Sequence, residues 1–122
     1  MRIDEMPAGR EMDKAISQHV FGNTEFCCKD YDDDYHAIKE PNGCFVNYEL
    51  VPRYSTDMAA AWKIVEKFNK ESWWVVIEVF DDATWCKIFA HNKSTNVAVT
   101  DNNQMPLAIS RCALKVEGVT EI

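Results

Sequence analysis

Apolar residues recur at helical spacing in three stretches of the chain, separated by runs that suit strands or turns. Met12, Ile16 and His19 or Val20 share one face of a helix over about residues 9–20, and Gly22 stands just past its end. In the middle of the chain Met58, Trp62, Val65 and Phe68 (or Asn69) repeat with the same period, while Lys63, Glu66, Lys67 and Lys70 fall elsewhere. Ser55 or Thr56 is expected to accept a backbone N–H at the start of this second helix, with Asp57 in its first turn, where the macrodipole favours negative charge. The capping box is incomplete, because Met58 and Ala59 stand where a Glu or Gln would close it. Ala59, Ala60 and Ala61 allow close approach to a sheet, and Trp62 reads as the core anchor. A third helix starts near Asn102 or Asn103, tolerates Pro106 in its first turn, carries Ile109, Cys112, Ala113 and Val116 as its stripe, and stops at Gly118.

Between the second and third helices the pattern changes. Trp73 to Phe80 is the strongest strand signal, rich in aromatic and β-branched residues. Both of its faces are apolar apart from Glu78, which predicts a strand covered on both sides. Asp81-Asp82-Ala83 reads as a turn into a strand over 84–91, and 92–95 as a turn into a short strand over 96–100. Residues 23–51 read as an irregular insert with a turn at Pro41-Asn42-Gly43 and a short strand over 44–50. The expected architecture is one α+β domain over residues 1–122, with helices packed on a mostly antiparallel sheet of three or more strands.

Charge and cysteine content narrow the function classes. A net charge of −7 disfavours general nucleic-acid binding, which needs a basic face against phosphates. No apolar run approaches the ~20 residues of a membrane span, and Met1-Arg2-Ile3-Asp4-Glu5 lacks the apolar core of an export signal, so the cytoplasm is the expected location. Five cysteines, Cys27, Cys28, Cys44, Cys86 and Cys112, are an odd number and are expected as reduced thiols.

Three separated segments carry a family resemblance. They are Pro7-Ala8-Gly9-Arg10-Glu11-Met12-Asp13, Tyr54-Ser55-Thr56-Asp57-Met58-Ala59-Ala60-Ala61-Trp62, and Pro106-Leu107-Ala108-Ile109-Ser110-Arg111-Cys112-Ala113-Leu114-Lys115. In this order they resemble the phage ABA-sandwich domain family, small proteins encoded by phages and prophages. The resemblance implies an α/β/α-type sandwich and a phage genomic origin. It implies no activity, and residues 23–51 depart from the family pattern.

No motif points to catalysis. Asp30, Asp32 and Asp34 match the first ligand positions of a calcium loop, but Tyr35 replaces the Gly of the sharp turn and Pro41 the bidentate Glu. Cys27, Cys28, His36 and Cys44 are the right types for zinc, yet they lack the usual paired spacing. No serine sits in a nucleophile elbow, no glycine-rich loop cradles phosphate, and Glu78, Asp81 and Asp82 read as solvent-facing acids. No metal or cofactor is expected, and the protein reads as a non-enzyme. Arg10, Arg53 and Arg111 with Tyr54, Trp74 and Trp85 are the candidate ligand-binding residues, because flat rings stack a base and guanidinium groups clamp a phosphate. The expected role is binding of a small host-derived ligand, such as a nucleotide of bacterial immune signalling. The alternative is a protein–protein interaction module that acts on a host enzyme or self-assembles.

Overall fold

The structure, a computed structural model, describes residues 1–24, 26–27, 35–39, 46–79, 86–92, 95–102 and 104–122. Among these residues the helices are α1 (Arg10–His19), α2 (Met58–Lys70) and α3 (Met105–Val116). The strands are β1 (Phe26–Cys27), β2 (Tyr35–Lys39), β3 (Val46–Leu50), β4 (Trp74–Val79), β5 (Cys86–Asn92) and β6 (Thr95–Asn102). The strands form two antiparallel three-stranded sheets, ordered β1-β2-β3 and β4-β5-β6. This is the expected α+β arrangement of three helices with a small antiparallel sheet. The difference lies in the supposed irregular insert, whose described residues pair into a sheet of their own.

α3 is the centre of the molecule. It lies on β5 and β6, with α1 and α2 packed beside it, and α2 also meets β4. Leu107, Ala108, Ile109, Ser110, Cys112, Ala113 and Leu114 are all buried, which leaves almost no polar face on its middle turns. Met12 and Ile16 of α1 and Ala61 and Ile64 of α2 complete the fully buried layer. The small side chains at 60, 61, 108 and 113 lose little rotamer entropy on burial and let the helix backbones approach closely. Beside α3 the two ends of the chain meet: Ile3 N donates to Thr120 O at 3.0 Å, and Lys115 Nζ pairs with Asp4 Oδ1 at 2.7 Å.

Three local expectations need correction. Trp62 is 47% exposed and does not anchor the core. The buried stripe of α2 runs through Ala61, Ile64, Val65 and Phe68, and Trp62 lies roughly 100° from its centre at 3.6 residues per turn. Asp57, rather than Ser55 or Thr56, caps α2, its carboxylate accepting from Ala59 N at 3.1 Å. α3 begins at Met105 because Asn102 is still paired with Cys86 in the β5–β6 ladder.

α2 and α3 end in the same way. Trp73 N bonds Phe68 O at 2.8 Å and Ser72 N bonds Asn69 O, with Ser72 at φ 68°. Val119 N bonds Leu114 O at 2.9 Å and Gly118 N bonds Lys115 O, with Gly118 at φ 79°. Both are Schellman caps, but only α3 has the glycine that the left-handed position favours. Trp73 packs against Phe68 (centroids 6.4 Å apart), which supplies the apolar contact usual for this motif. Ser72→Gly should therefore raise stability by about 0.5–1 kcal/mol, as relief of the left-handed strain outweighs the added chain entropy. A rise in urea midpoint at constant slope is the measurement that checks it.

Candidate functional site

Two polar clusters lie where α1 faces the chain around residues 49–55. In the first, Gly9 precedes α1 with φ 144° and ψ −162°, a region open essentially to glycine alone. This turn aims Gly9 N at Ser55 Oγ, 2.9 Å away. One turn into α1, Asp13 Oδ1 accepts from Ser55 N at 2.8 Å and from Ser55 Oγ at 2.6 Å. The serine expected to cap α2 is thus spent on fastening α1 to the segment before α2. Burial raises the pKa of Asp13 above its ordinary value, opposed by the two Ser55 hydrogen bonds and by the Arg53 charge.

The second cluster joins α1 to the first sheet. Ser17 Oγ is 2.6 Å from His36 Nδ1 on β2, and His36 Nε2 is 2.5 Å from Glu49 Oε1 on β3. Asn23 Nδ2 donates to Ser17 Oγ at 3.0 Å and stands 3.2 Å from His36 Nδ1. With donors on that side, Nδ1 accepts the Ser17 hydroxyl proton, and Nε2–H is left to donate to Glu49. A serine, an imidazole and a carboxylate in series have the connectivity of an activated nucleophile. However, Ser17 is 0% exposed and its oxygen already accepts from Asn23, so a substrate atom has no approach to it. The arrangement serves as a fastening instead. A second tie lies close by, with Lys14 Nζ over the Phe26 ring of β1, 5.1 Å from its centroid.

The sequence offers His36 as a candidate zinc ligand. Both of its ring nitrogens are engaged by Ser17 and Glu49, and among the described residues no group of three or more His, Cys, Asp or Glu side chains is placed to hold a metal ion. Cys28, Cys44 and the acidic run at 30–34 lie outside the described residues. Among the described residues no helix is long and apolar enough to cross a membrane.

Among the described residues, the ligand-binding candidates are dispersed over several surfaces. Tyr54 is 3% exposed and stacked on Phe21, with centroids 5.2 Å apart and rings 16° from parallel. Burial first, then the Glu49 and Asp13 charges, push its phenol well above the ordinary value and keep it protonated. Arg10 opens α1 next to Gly9, and Arg53 lies two residues before Ser55; both are exposed and flank the Asp13–Ser55 cluster. Arg111 is half-buried, and its Nη2 donates to Met6 O at 2.7 Å. Trp74 belongs elsewhere, on the outer face of β4. Trp85 lies outside the described residues. A cavity between α2, α3 and β4, lined by Ile64, Val65, Phe68, Val75, Ile109 and Cys112, measures about 10 Å³. That is about one water in an apolar wall, far below the roughly 300 Å³ at which small-molecule sites begin.

Among the described residues, β4 carries an exposed apolar face. Trp73, Val75 and Ile77 turn toward the core, whereas Trp74 (56%), Val76 (43%) and Glu78 are exposed. The expectation that this strand is covered on both sides fails at Trp74 and Val76, which stand exposed. On the first sheet, Tyr48 and Leu50 of β3 are exposed as well.

Residues 14–114 match the model of the phage ABA sandwich domain. The 2.0 Å crystal structure of a phage protein from Bacillus cereus ATCC 14579 superposes with a TM-score of 0.63 at 20% identity, covering 90% of this chain and 91% of that one. This likeness supports the fold. No curated protein matches the chain.

Proposed function

The chain belongs to the phage ABA sandwich domain family, and we propose that it serves the phage as a non-enzymatic protein-interaction module in the host cytoplasm. The outer face of β4 carries this reading. Trp74 and Val76 stand exposed in a strand whose apolar pattern is that of a covered one. Burial of Ser17 and the occupancy of both His36 nitrogens argue against a hydrolytic role. Val76→Lys is a surface change that leaves the fold intact and should abolish capture of a stoichiometric protein partner from infected cells. Equal capture by wild type and variant would sink the reading.

A second reading, sequestration of a small anionic host signal such as an immune nucleotide, draws on Arg10 and Arg53, exposed beside the Asp13–Ser55 cluster. Acidic net charge weighs against it. In a thermal-shift panel of cyclic nucleotides and ADP-ribose derivatives, a ligand at 100 times its Kd adds about 2.7 kcal/mol. A shift lost in an Arg10→Ala, Arg53→Ala double variant would favour this reading over the first.

A further inference from the structure

We draw no further inference here: the strongest candidate, the exposed outer face of β4 at Trp74 and Val76, carries nothing further, because nothing in the structure shows what covers it.

Discussion

Asp13→Ala should destabilise the protein by about 2–4 kcal/mol. Asp13 is the shared acceptor for Ser55 N and Ser55 Oγ, and its loss leaves two buried donors without their partner, each costing about 1–3 kcal/mol. Relief of carboxylate desolvation offsets part of this. Ser55→Ala removes a donor as well as an acceptor, so it should cost less, about 1–2 kcal/mol, chiefly through the Gly9 N–H it strands. Urea unfolding of both single variants and the double variant measures the coupling, expected at about 1–3 kcal/mol for residues in one network. Additive losses would mean that the two side chains do not act together.

The same carboxyl gives a pH dependence of definite sign. Its folded pKa is raised above the unfolded value of 3.8, mainly by burial. A raised acid binds its proton more readily in the folded state, so the stabilisation is full below 3.8 and is lost as pH climbs through the folded value. Compared with Asp13→Asn, which cannot ionise, wild type should therefore gain relative stability on acidification through that window. A stability difference that is flat with pH would refute the assignment.

The second large effect is local. His36→Ala should loosen the first sheet from α1, because the buried Ser17 hydroxyl loses its acceptor. One orphaned buried hydroxyl, together with the space left by the ring, predicts about 2–3 kcal/mol. The loss should be concentrated in β2 and β3: their amides should exchange with solvent sooner, while those of α3 stay protected. Uniform loss of protection across all elements would show that the sheet folds and unfolds with the rest.

These contacts explain what could be read from the chain. Helices were legible where apolar spacing and a stop glycine coincide, as at Met12–Ile16 with Gly22, and at Ile109–Ala113 with Gly118. Trp62 was misplaced because size suggested an anchor, whereas the alanine and isoleucine beside it set the buried face of α2. Of the first sheet only β3 was legible, within the strand expected over 44–50; β1 has two residues, and β2 carries no clean alternation. The two polar clusters could not be seen at all, since Asp13 is 42 residues from Ser55 and Ser17 is 19 from His36. What the sequence does hold is a hint in α1, where Asp13 and Ser17 stand one position after Met12 and Ile16 and so border the apolar stripe. Polar residues in that position ask for a buried partner, although spacing does not say which.

The central place of α3 bears on how the protein is made. Residues 3–5, α1, α2, β5 and β6 all rest on this helix, which follows them in the sequence. During synthesis, α1, α2 and the second sheet leave the ribosome before the helix they close upon. Folding must wait until residues through Val116 have emerged, so a nascent chain stalled before Met105 should remain protease-sensitive and draw on chaperones. The domain assembles only once its central helix is present.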